Sequence, residues 1–261
     1  MKRLLVAATT ALAVLGLGLV TPAGAHAPQP AKPTILLVHG GFADGSSWRE
    51  VTRRLQRDGY PVVASQLPLT SFDADVAVVK RDLASLGGGP TLVVGHSYGG
   101  AVITQAASGA TNVVGLVYIA AFAPDTGESA GSILGGYPAL PSLSHFVPIS
   151  ATDLILDRTH FGEDFAQDAP RAEQQVLAAT QKPVAAATLG ATVTGTPAWK
   201  QFPTWYQIAT ADRMIPVAAE RAMAARAAGR ARTVELGTGH AAMVSRPVHT
   251  AQLIERAATG R

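Results

Sequence analysis

The stretch TLVVGHSYGGAVITQAA, residues 91–107, runs from a short apolar segment into a glycine-flanked serine and out into a helical pattern. Residues 91–95 do not alternate apolar with polar, which predicts a strand buried on both faces. From Gly99 and Gly100 onward the spacing predicts a helix. Joining the two takes a reversal within about three residues. Such a turn strains the backbone at Ser97 and brings neighbouring chain close, so the flanking side chains must be minimal. A bare G-x-S-x-G match is a weak signal in a chain with 26 glycines. Its placement between a buried strand and a helix gives it force, because that turn lifts the hydroxyl above the carboxyl edge of a sheet, where α/β proteins bind ligands.

Working outward, the same alternation recurs. Residues 35–38, ILLV, form another continuous apolar run. A helix follows, with Trp48, Val51 and Leu55 on one face, Ser47 and Glu50 spaced as a capping box, and Gly59 as the stop. Residues 60–68 predict a strand and residues 71–89 a helix ended by Gly87–Gly89; residues 113–122 predict a further strand. Strand and helix alternating at short intervals predict a mostly parallel, doubly wound α/β sheet with helices on both faces. Between about 126 and 200 the pattern breaks, with scattered Gly and Pro and two moderately helical segments near 163–181 and 183–191. It resumes with a strand at 204–212, a helix begun by Pro216 and ended by Gly229, a strand at 232–237 and a last helix at 245–258. The middle segment therefore predicts a small cap inserted into one domain spanning 34–261.

The N-terminus carries Lys2 and Arg3, an apolar stretch from Leu4 to Val20, and small residues at Ala23 and Ala25. This is the layout of a secretory signal peptide over 1–25, followed by a Pro-rich, flexible segment over 26–33 and implying a secreted protein with no stable membrane anchor after cleavage. Of the net charge of +3, two come from Lys2 and Arg3, so the remainder carries +1 and predicts no nucleic-acid partner. With no cysteine there is no disulfide and no thiolate metal site, and no HExxH-type cluster suggests a metal; the expectation is catalysis without a cofactor.

A nucleophilic serine needs a base. Seven histidines are available. His26 lies in the N-terminal tail, His39 at a strand end where a structural hydrogen bond is expected, and His96 beside Ser97, diverging from it. His249 falls on a helix surface, and His145 and His160 lie in the insertion. His240 hangs in the loop directly after the last strand, on the same sheet edge as Ser97, and is the expected base. Asp212, just past the preceding strand, is the expected orienter of His240, with Asp125 in AFAPDTGES as the rival. The oxyanion donors expected are the backbone N–H groups of Tyr98, after the nucleophile, and Gly41 in HGGF, with Phe42 in reserve.

Taken in order, HGGF, GHSYGG, TADRMIP and GTGH resemble the α/β-hydrolase superfamily from about Thr34 to the C-terminus, apart from the insertion. LLVHGGFADGSSW, GLVYIAAFAPDTGES and GHAAMVSRP are similar to the small cofactor-free esterases related to plant methyl-ester esterases and hydroxynitrile lyases. The resemblance implies a triad at Ser97, Asp212 and His240 and oxyanion donors at Gly41 and Tyr98. The related lyases carry lysine directly after the histidine, where this chain has Ala241, which favours ester hydrolysis over cyanohydrin cleavage. Tyr98 is itself a departure: its side chain either narrows the acyl pocket or donates a hydrogen bond. The expected substrate is a small or medium carboxylic ester, with Phe42, Phe146, His160, Phe161 and Trp199 as pocket-wall candidates. A lyase, a cofactor-free perhydrolase of the haloperoxidase type, and a non-catalytic binding protein on the same scaffold stand as alternatives. Oligomeric state is not encoded in any feature of the sequence.

Overall fold

Ile35, Leu36, Leu37 and Val38 are all fully buried, as a strand covered on both faces requires. The structure, a computed structural model, describes residues 32–261. The expected signal peptide and residues 26–31 lie outside the described residues. Among the described residues six strands form one parallel sheet: β1 (Thr34–Val38), β2 (Val62–Ser65), β3 (Thr91–Ser97), β4 (Val113–Ala121), β8 (Thr204–Ala209) and β9 (Thr233–Leu236), in the order β2-β1-β3-β4-β8-β9.

The chain winds from β1 through helix α1 (Arg49–Arg57) to β2 on one side, then returns through α2 (Phe72–Ser85) to β3 on the other side of β1. From β3 it continues outward through α3 (Tyr98–Ala106) to β4. Right-handed crossovers put helices of opposite progression on opposite faces, so α1 and α3 flank the sheet from two sides. The strand order reverses between β1 and β3. A crevice opens outside the carboxyl ends of these two strands, and residues 39–42 and Ser97 border it.

Between β4 and β8 lie α4 (Ala130–Gly135), β5 (Phe146–Pro148), β6 (Asp153–Leu156), α5 (Phe161–Phe165), α6 (Arg171–Thr180), β7 (Val184–Ala185) and α7 (Ala187–Gly190). The strands pair antiparallel in the order β5-β6-β7. The sequence pattern contains α5–α7 in outline but not this sheet, whose strands of two to four residues are too short to show a period. After β8 come α8 (Val217–Ala227), and after β9 the short α9 (Ala242–Ser245) and α10 (Pro247–Ala258), which packs against α1.

One local expectation is corrected. The first turn before α1 winds as a 3-10 helix over Gly45–Trp48, capped by Asp44, whose side chain accepts from the Ser46 N–H. Ser47 therefore donates its hydroxyl to the Asp44 carbonyl, and Glu50 pairs with Arg53 at 2.7 Å, so no Ser47–Glu50 capping box forms.

Candidate active site

Ser97 closes β3 and caps α3 with φ 52° and ψ −127°, a conformation that costs an L-residue strain. Contact distances explain the glycines around it. A Cβ on Gly95 would lie 2.8 Å from the Gly99 carbonyl oxygen, one on Gly99 2.4 Å from that of His39, and one on Gly100 2.4 Å from that of Phe122. Opposite, a Cβ on Gly40 would lie 2.7 Å from the Ser97 Cβ. The β3–β4 register slips by one residue here, leaving Ala120 as a bulge at φ 43° and pairing Ser97 with Ala121. The Ser97 hydroxyl does not cap its own helix.

Two strands away, Asp212 is fixed by its own turn. Its Oδ1 accepts from the N–H groups of Met214 at 2.6 Å and Ile215 at 2.8 Å. Its Oδ2 lies 2.6 Å from His240 Nδ1, and both side chains are buried. Because a carboxylate so held only accepts, Nδ1 carries the proton and the Nε2 lone pair is left free. Nε2 has no hydrogen-bond partner among the described residues, and no bond joins it to Ser97 Oγ in this structure. His96, the neighbour of Ser97, donates Nε2–H to the His240 carbonyl at 3.0 Å and lies 4.7 Å from the His240 ring, centroid to centroid. Burial holds the His96 imidazole well below its ordinary pKa, so it braces the loop as a neutral ring. The rival acid Asp125 is instead paired with Lys200 at 2.6 Å, on the surface. Gln167 was missed by the sequence reading. It donates to the Ala211 carbonyl at 2.6 Å, and its side chain occupies the space a Cβ on Gly239 would take.

Ser97 opens into a cavity of about 40 Å³. Gly41, Phe42 and Tyr98 line it from the sheet side, and Phe146 from the inserted segment, with Phe42 and Phe146 rings 5.2 Å apart. His160, Phe161 and Trp199 do not line it. His160 stacks on His145 at 3.8 Å, beyond the cavity. Phe161 packs behind Phe165 at 4.8 Å, and Trp199 donates to the Pro124 carbonyl at 2.9 Å under the insertion. Their walls are taken by Phe122, Leu134, Phe165, Leu189, Met214 and Ile215, which the sequence reading did not name. Met214 and Ile215 lie two and three residues past Asp212 and Phe122 directly follows β4, and those adjacencies were usable signals; Leu134, Phe165 and Leu189 depend on how the insertion folds back.

The Tyr98 hydroxyl is already committed. It donates to Asp75 Oδ2 at 2.7 Å, while Asp75 Oδ1 accepts from the Leu69 N–H at 2.8 Å. Burial pushes both the Tyr98 phenol and the Asp75 carboxyl up from their ordinary pKa values. The Tyr98 ring is therefore a fixed wall and has no hydrogen left to offer a substrate.

Residues 35–252 match the family model described as the alpha/beta hydrolase family. This chain belongs to the alpha/beta hydrolase family. Its sequence is 35% identical over 119 residues to probable hydrolase R7 of a Phoma species, covering 40% of this chain and 49% of that protein. The match thus spans about half the length of that curated relative. The fold is similar to that of a pyrethroid hydrolase from Sphingobium faniae JZ-2, at TM-score 0.73 and 24% identity, covering 87% of this chain and 97% of that one. It is also similar to polyneuridine aldehyde esterase, at TM-score 0.74 and 18% identity, covering 86% and 98%. At these identities the likeness is one of fold.

The loop opposite Ser97 is held by His39. Its Nδ1–H donates to the Gly40 carbonyl at 2.8 Å and its Nε2 accepts from the Leu67 N–H at 2.9 Å. These partners fix the tautomer, since a carbonyl only accepts and an amide N–H only donates. Burial lowers the His39 pKa to about 4, so the ring is neutral at physiological pH. The N–H of Tyr98 belongs to the first turn of α3, where no intrahelical acceptor exists. It and the N–H of Gly41 make no hydrogen bond to another group among the described residues.

Proposed function

We propose that this hydrolase cleaves small carboxylic esters through an acyl-enzyme on Ser97, with His240 as base, Asp212 as its orienter and the N–H groups of Gly41 and Tyr98 as the oxyanion hole. The observation that carries the reading is the buried His240, clamped through Nδ1 to Asp212 at 2.6 Å with Nε2 unpartnered. Nε2 accepts the Ser97 proton as Oγ attacks the ester carbonyl. The new alkoxide is stabilised by the two amides, each donor worth about 3–4 kcal/mol to the transition state. His240 then returns the proton to the departing alcohol. A water, deprotonated by the same nitrogen, attacks the acyl group and releases the acid. Asp212 stabilises the imidazolium that forms in each half.

The fixed Tyr98 ring and the narrow apolar cavity favour an acyl group of a few carbons. Position 241 is a fully buried alanine whose N–H donates to the Phe165 carbonyl, so the residue after His240 brings no cation to hold a departing cyanide. Export is part of the proposal, on the strength of Lys2, Arg3 and the apolar run that follows.

The test is a fluorophosphonate probe together with p-nitrophenyl esters of graded acyl length. Wild type labels and turns over the short esters, and Ser97→Ala does neither. Equal labelling of the two proteins overturns the assignment. Peroxide-dependent bromination without ester turnover would favour a perhydrolase, and ligand-induced thermal shifts without any turnover a binding protein.

A further inference from the structure

Glu220 lies in the first turn of α8 and is fully buried. Its Oε2 accepts from the Ala209 N–H at 3.1 Å, and the Ala209 carbonyl accepts from the Asp212 N–H at 3.0 Å, so the two acids are fastened to one turn. The Glu220 carboxyl faces that of Asp212, which acts on it by its charge and as a side-chain hydrogen-bonding neighbour. Its Oε1 meets no N–H donor among the described residues. The groups facing Glu220 offer no relief. Asp212 and, on β9, Glu235 are acidic, and Tyr206 on β8 gives its hydroxyl to the Ala121 carbonyl. Arg221, the next residue along α8, is spent on Glu235 at 2.8 Å in an exposed pair.

Two carboxyls in contact and out of water hold one negative charge between them. The donors decide where it sits. Asp212 receives three, from Met214, Ile215 and His240, while Glu220 receives one. A protonated Glu220 carboxyl would have a hydrogen to give the acid that carries the charge. We infer that Glu220 is a positioning residue that stays protonated and donates a hydrogen bond to Asp212, adding a fourth member behind Ser97, His240 and Asp212. Burial, first, and the Asp212 charge, second, push the Glu220 carboxyl well above the usual carboxylate range. The inference rests on the reading of Asp212 as the orienter of His240.

The test compares Glu220→Gln, which keeps a donor and an acceptor without a charge, with Glu220→Met, which keeps volume alone. Glu220→Met lowers kcat about tenfold, the worth of one hydrogen bond to a charged group, with KM within about twofold. It also moves the acid limb of kcat/KM to higher pH, because an Asp212 that has lost a donor holds the imidazolium more tightly. Glu220→Gln rescues kcat to within about threefold of wild type and leaves the acid limb in place. A Gln variant whose acid limb moves to lower pH overturns the inference, because a charge would then have been removed. A Met variant with wild-type kcat and profile overturns it as well. If Glu220→Met does not fold, the position of the limb in Glu220→Gln decides alone.

The low-field NMR proton of the His240–Asp212 bond gives the same comparison without substrate. It shifts in the Met variant and holds in the Gln variant, and the reverse pattern refutes the fourth member. Absence of all ester turnover in wild type would sink the proposed reaction while leaving this NMR comparison decisive.

Discussion

Replacing His39 with glutamine isolates one contribution to acid stability and tests how the loop bearing Gly41 is held. In the folded protein His39 is fully buried, and burial lowers its pKa from an ordinary 6.5 to about 4. As pH falls from 6.5, the unfolded chain takes up a proton at this site and the folded chain does not. The unfolded state therefore binds more protons through that window, and stability is lost as pH falls. Below about 4 both states are protonated and the loss stops. The gap between 6.5 and about 4 corresponds to about 3 kcal/mol. Protonation also gives Nε2 a hydrogen that faces the Leu67 N–H, donor against donor, so the brace on residues 40–42 fails and ester turnover falls with it. Urea unfolding at pH 7, 6, 5 and 4 measures the effect. His39→Gln starts less stable at pH 7 but loses about 3 kcal/mol less than wild type on the way to pH 4. His96, held low chiefly by burial, is present in both proteins, and of its causes only the lesser coulombic coupling to His39 differs between them. Parallel stability curves for the two proteins would refute the assignment of the neutral ring to His39. So would a wild-type His39 resonance that titrates above pH 6 by NMR, a measurement that does not need the variant to fold.

Three further outcomes follow from the site. Asp212→Asn frees His240 to adopt the wrong tautomer and lowers kcat by about 10⁴, whereas Asp125→Asn stays within about twofold; equal losses in the ester assay would restore the rival acid. Gly99→Ala places a Cβ 2.4 Å from the His39 carbonyl oxygen and destabilises by about 3 kcal/mol or more, so an unchanged urea midpoint would contradict the close approach. Tyr98→Phe strips the donor from the buried Asp75 Oδ2 and costs about 1–3 kcal/mol in thermal or urea unfolding, while the preference for short acyl groups persists because the ring still forms the wall. A Tyr98→Phe enzyme that accepts long acyl chains would show that the hydroxyl, not the ring, set the limit.

How much of this was legible in the sequence differs from element to element. The parallel sheet was readable because buried strands such as 35–38 and 91–95 are continuous apolar runs, and glycines at 59 and 229 mark where the intervening helices stop. The serine turn was readable because only glycine tolerates the contacts around it, so steric necessity is written directly into residue identity. The pairing of Asp212 with His240 was readable by position, since both follow strand ends that a parallel sheet brings to one edge. The tertiary structure alone decided which insertion residues reach the cavity, admitting Phe146 and leaving out His160, Phe161 and Trp199. It also decided that Tyr98 is fastened to Asp75, and that Glu220 lies against Asp212. The division has a physical reason. Backbone sterics and strand burial act over a few neighbouring residues and leave a local pattern, and a parallel sheet carries the residues at its strand ends to one edge, whereas partners such as Tyr98 and Asp75 are chosen by side-chain packing, which leaves no pattern.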